Sequence, residues 1–163
     1  ADAWMGLGVC YDESGRSQEA LSFIEKAIRL TPTIPEYWFI QGDILIKLSR
    51  TEEGISSYRK VIELDPDDTD IWLDLSVVYA DRKDFEQGYE VLKEGLVYHE
   101  NHPDYHYGLA YCLFMMGRKQ EGEESLLKAL GMDYEGHQRL FKTFPEAKDH
   151  PGIAGAIGSF RNP

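Results

Sequence analysis

A chain of 163 residues with 42% hydrophobic residues is long enough for one compact domain or a short solenoid, and nothing in its bulk composition reads as low-complexity. Its formal charge of −12 argues against nucleic-acid backbones and anionic membranes as partners, because both call for Lys/Arg-rich surfaces. No apolar run approaches the roughly 20 residues of a membrane span, and no signal-peptide pattern opens the chain. The first element begins at once, with Trp4, Leu7, Gly8 and Tyr11 at the i, i+3, i+4, i+7 spacing of one helix face. A polar turn, ESGRS, leads to a second helix carrying Ala20, Ile24 and Ala27, which Pro32 closes because proline cannot continue it. Starting on Ala1 rather than Met, directly inside such a pattern, the chain reads as a fragment or mature form of something longer.

The pattern then returns every 34 residues. The aromatic place holds Trp4, Trp38, Trp72 and His106; the small place four residues on holds Gly8, Gly42, Ser76 and Ala110. In the second half of each unit, small residues recur as Ala20, Gly54, Gly88 and Gly122. The expected units are 1–34, 35–68, 69–102 and 103–136, each a pair of helices. Acids at Asp2, Glu36, Asp70 and Asp104 fall in a first turn, where the helix dipole favours negative charge. Residues 137–163 do not fit a fifth unit; HQRLFKTF reads as a helix ended by Pro145, with a second short helix expected over residues 152–160. This tail carries Arg139, Lys142, Lys148 and Arg161 against Glu146 and Asp149, so it is suited to sit on an acidic body. A stack of repeats needs such a cover over its last apolar face.

The W-x2-L-G-x2-Y of Trp4, Leu7, Gly8 and Tyr11, followed by Ala20, Ala27 and Pro32, resembles the tetratricopeptide repeat family. The resemblance covers residues 1–136 in one register, with departures at Gln41, at His106 and in the absence of a closing proline from the third and fourth units. It implies an all-α fold, a right-handed α-solenoid of stacked antiparallel helix pairs with a concave face, ended by the capping helices of the tail. The tryptophans are then expected in contacts within and between helix pairs, since no pair buries its apolar face alone.

Catalytic constellations are wanting. There is no Gly-rich phosphate loop, G-x-S-x-G, H-E-x-x-H or C-x-x-C, so no enzyme activity and no cofactor are expected. His99, His102, Asp104 and His106 have ligand-like spacing for zinc. Yet His106 occupies the core aromatic place, Asp104 is a first-turn acid and His102 precedes Pro103, and the reading without metal is preferred. Cys10 and Cys112 are too few for a disulfide scaffold and lie in apolar-periodic stretches, so both are expected as buried free thiols. A cytoplasmic setting is the expectation.

In the resembled family the first helix of each unit lines the groove. Carried over by register, the groove residues are Met5, Val9 and Asp12; Phe39, Asp43 and Ile46; Leu73, Val77 and Asp81; and Tyr107, Tyr111 and Phe114. Acids dominate the groove places and Lys47 is the one base among them. Some of this acidity has a plainer origin in helix dipoles and turns, and the apolar members have an alternative home under the tail or against neighbouring helices. The Lys/Asn/Arg clamp with which some family members grip a C-terminal carboxylate is absent: its asparagine place holds Val9, Asp43, Val77 and Tyr111. The expectation is a protein-interaction scaffold for a basic or basic-apolar segment, not for acidic C-terminal peptides. The alternative is a structural or self-associating segment of a longer array, joined through the N-terminal end where Trp4, Met5, Leu7 and Val9 leave little polar surface.

Overall fold

The computed structural model describes residues 1–161; Asn162 and Pro163, the end of the expected tail, lie outside the described residues. Eight helices follow one another in matched lengths: α1 (Asp2–Glu13), α2 (Ser17–Leu30), α3 (Pro35–Lys47), α4 (Thr51–Leu64), α5 (Thr69–Asp81), α6 (Phe85–Tyr98), α7 (Pro103–Met115) and α8 (Lys119–Met132). The tail adds α9 (His137–Thr143), a 3-10 turn over Pro145–Asp149 that the sequence reading did not place, and α10 (Pro151–Arg161). Among the described residues there is no strand. Pro35 and Pro103 stand at the starts of α3 and α7, where a missing N–H costs nothing. Pro32 and Pro66 fall just past the ends of α2 and α4 and block their extension.

The turn inside each helix pair follows one design. Residue 15 of each repeat has a positive φ: Gly15 (82°), Ser49 (61°), Lys83 (60°) and Gly117 (75°). There the next residue's N–H reaches back five positions, from Arg16 to Tyr11, Arg50 to Leu45, Asp84 to Tyr79 and Arg118 to Leu113. This left-handed closure caps orphan carbonyls at the first helix's end. Glycine is the natural occupant, and Ser49 and Lys83 adopt the same backbone at a cost.

Residues 1–71 and 72–163 form two compact units. In the first, the apolar stripe of α2 (Ala20, Leu21, Ile24, Ala27, Ile28) packs with Tyr37, Ile44 and Leu45 of α3, and Trp4, Trp38 and Met5 lie at the edge of this cluster. Gly42 is required by close approach: a Cβ there would stand 2.5 Å from the Tyr58 ring. Trp38 donates its indole N–H to the Pro32 carbonyl at 2.7 Å, and Trp4 stacks on Phe23 at 5.7 Å. In the second unit Trp72 is buried and stacks on Tyr98, and His106 is buried at the equivalent place. Its core runs from Ala80 through α7 and α8 into the tail, taking in Leu140, Phe144, Ala147, Ile153 and Ile157.

The cysteine expectation needs correcting for one of the two. Cys112 is buried, and burial pushes its thiol up to about 12. Cys10, at the same place in α1, is exposed. The difference is one of neighbours: α7 packs against helices on both sides of the chain, whereas that face of α1 carries no cover among the described residues.

Candidate functional site

In the first unit, Met5, Val9, Asp12, Phe39 and Ile46 are partly buried and Asp43 is exposed. The two acids are not idle charges. Asp12 accepts from Ser17 Oγ at 2.5 Å and pairs with Lys47 Nζ at 3.2 Å, so the one base of the groove register is already engaged. Asp43 accepts the phenolic hydrogen of Tyr58, whose ring in turn stacks on Phe39 at 5.6 Å. Desolvation beside that ring raises the Asp43 carboxyl above its ordinary value; the Tyr58 hydrogen bond opposes the rise and the charge of Asp12 adds to it. The unit thus brings together an aromatic pair, a carboxylate held by a phenol and a second carboxylate held by lysine.

The second unit treats the same register differently. Leu73 and Val77 are partly buried and Asp81 is exposed, but Tyr107, Tyr111 and Phe114 are only 1%, 3% and 4% exposed. Tail residues cover them. Phe144 stacks on Tyr111 at 4.5 Å, and His150 lies 5.1 Å from the Phe114 ring. Tyr107 donates to the Asp133 carbonyl at 2.6 Å. Burial raises the Tyr107 phenol and pushes that of Tyr111 up to about 12, so both stay neutral donors. Of the predicted groove residues, these three are therefore core residues in this conformation, occupying the alternative home under the tail. The sequence signal for that lies in α7 itself: PDYHYGLAYCLFM is apolar on every side, and a helix of that kind is buried.

Several pairings were not read from the sequence. Tyr37 donates to Asp2, Lys47 pairs with Asp12, Tyr111 approaches Glu146, and Arg139 holds Asp104 at 2.8 Å and Asp133 at 2.6 Å. Four of these pairs are separated by 35 residues, one more than the repeat. That offset links one first helix to the next, and it continues into α9, where Arg139 sits at the third place as Tyr37 does in α3. The tail therefore begins in repeat register before it shortens. Among the described residues no group of three His, Cys, Asp or Glu is arranged to hold a metal ion, and no helix is long and apolar enough to cross a membrane.

Comparison with known proteins bears on the same geometry. Family models described as tetratricopeptide repeat match residues 1–34, 45–107 and 103–135. No curated protein matches in sequence. Among solved structures, a double mutant of MamA RS-1 is 20% identical with a TM-score of 0.69, covering 98% of this chain and 92% of that one. MamA from Desulfovibrio magneticus RS-1, residues 41 to the end, is 19% identical with a TM-score of 0.68, again over 98% and 92%. YrrB, described as a TPR protein with an unusual peptide-binding site, is 15% identical with a TM-score of 0.64, over 96% of this chain and 82% of that one. Identities this low speak to fold, and the fold they share is an all-α solenoid. The chain belongs to the tetratricopeptide repeat family, a family of protein–protein interaction scaffolds.

Proposed function

We propose that the chain binds a basic or basic-apolar segment of a partner protein, without catalysis, through the acidic and aromatic first-helix face. The carrying observation is the Asp43 site: a carboxylate at an exposed residue, oriented by the Tyr58 phenol, whose ring stacks on Phe39. A cation placed there pairs with the Asp43 carboxylate, and an apolar neighbour on the ligand covers Phe39 and Ile46. YrrB, of the same fold, is described as having a peptide-binding site, which is in keeping with this use of the scaffold. Fluorescence anisotropy against basic-apolar, neutral and acidic C-terminal peptides tests it. Affinity confined to the first set, weakened by salt and by Asp43→Lys about tenfold or more, is the expected result. Binding of acidic peptides, or indifference to Asp43→Lys, overturns it.

A second reading, self-association through the N-terminal helix pair, is favoured by Leu7, which is 44% exposed beside Trp4. Sedimentation of wild type and Leu7→Asp distinguishes the two, because a concentration-independent monomer in both excludes this second mode.

A further inference from the structure

The tail does more than bury α7. Where α5 ends and the 3-10 turn passes, it leaves a cavity of about 250 Å³ lined by Asp81, Lys83, Tyr111, Thr143, Phe144 and Glu146. This is smaller than the roughly 300–1,000 Å³ of a site for a drug-sized molecule, and of a size for one side chain. Its apolar wall is the Tyr111–Phe144 stack. Its polar lining is two carboxylates, one hydroxyl, one phenol and one ammonium. The buried Tyr111 phenol donates to Glu146 across 3.5 Å, a long contact beside the usual 2.5–3.0 Å of an O–H···O bond. Two carboxylates against one ammonium leave the lining negative.

We propose that this cavity is an anchor pocket for a single cationic side chain of the bound segment, arginine in preference to lysine. A guanidinium is planar, weakly hydrated and able to take a carboxylate in two bonds while lying against aromatic carbon; an ammonium is a compact, strongly hydrated charge that lacks the planar fork and face. The proposal rests on the reading of the chain as a binder of basic segments and adds a second place for a base, apart from Asp43. Lys83 is its internal competitor. Because residue 83 occupies the left-handed turn place that Gly15 and Gly117 fill elsewhere, its side chain is not required by the fold and can be removed there without disturbing the turn. The site also exists only where the tail meets the third and fourth helix pairs, so repeat register alone does not reveal it.

The test is a nitrogen-15 correlation spectrum of the full chain titrated with N-acetyl-arginine methylamide, beside its lysine counterpart and the neutral, similarly shaped citrulline amide. The arginine probe is expected to shift the amides of Asp81, Lys83, Thr143, Phe144 and Glu146 saturably, more tightly than lysine, with citrulline silent. Glu146→Gln, at an exposed position, weakens binding about tenfold, as loss of a charge-assisted contact does, and Lys83→Gly tightens it several-fold. Shifts scattered over other acidic residues, equal shifts by citrulline, or weaker binding in Lys83→Gly overturn the pocket. Basic-peptide selectivity with an unmoved pocket removes this inference and leaves the proposed function standing. Saturable arginine binding without peptide selectivity does the reverse.

Discussion

Helices α1 and α7 hold the same place in the repeat and meet opposite fates. Of α1 only Gly8 is buried, whereas residues 105–114 of α7 are buried without a break. α7 is apolar on every side and α1 on most, which inclines α7 to burial but does not supply what covers it. What separates them is what lies alongside: α7 packs against α6, α8, α9 and α10, while α1 packs mainly against α2. The comparison teaches that a groove position in this fold is a place, not an exposure. Tyr111 and Asp43 share the ninth place of their repeats, yet one stacks under Phe144 and the other stays open to solvent.

The strongest way to break the contrast is Phe144→Ala. Removing a buried ring costs about 3–5 kcal/mol, so the tail should detach and α7 should come to resemble α1. Hydrogen exchange over residues 105–114 is expected to rise towards the rate of α1, alongside a lower urea midpoint. Protection unchanged in α7 would show that the tail is not what covers it.

The next effect separates the units by pH. Burial holds His106 down at about 4, with Lys128 contributing, against an unfolded value near 6.5. Between these values the unfolded chain binds a proton that the folded chain refuses. Stability of the second unit is therefore present above pH 6.5 and lost as pH falls towards 4, at up to about 1.4 kcal/mol per unit of pH. In the first unit the sign reverses, because the raised Asp43 carboxyl favours the folded state on acidification. Urea titrations at several pH values, followed by exchange in each unit, should show the second failing first in mild acid, and His106→Phe should flatten its slope.

Smaller changes sharpen the comparison from the other side. Gly42→Ala forces a methyl group against the buried Tyr58 ring and is expected to cost about 1–3 kcal/mol while displacing the Tyr58–Asp43 contact, a loss readable by calorimetry. Ser49→Gly relieves a left-handed residue of the first unit and should stabilise it by about 1 kcal/mol in the same assay.

Much of the fold was legible from spacing. Trp4, Trp38, Trp72 and His106 mark the period, their partners at i+3, i+4 and i+7 give the helix faces, and the prolines mark helix ends. The left-handed place was hidden because Ser49 and Lys83 interrupt the glycines that would have announced it. Candidate site residues were legible as places: Asp12, Asp43 and Asp81 could be named from register. The partners of Asp12 and Asp43 could not, since Lys47 and Tyr58 reach them across helix boundaries, and neither could the cavity that Asp81 shares with Glu146.

The chain's own order of residues determined the repeat, the helical period and the acidic bias of the first-helix face, because these depend on local spacing and on charge. Only the tertiary structure decided which of the equivalent faces stayed open. Burial depends on which helix lies opposite, and α9, the 3-10 turn and α10 depart from the repeat just where they fold back over α7. The same departure encloses the cavity at Asp81, Tyr111 and Glu146, whose walls come from separate stretches of chain brought together by packing.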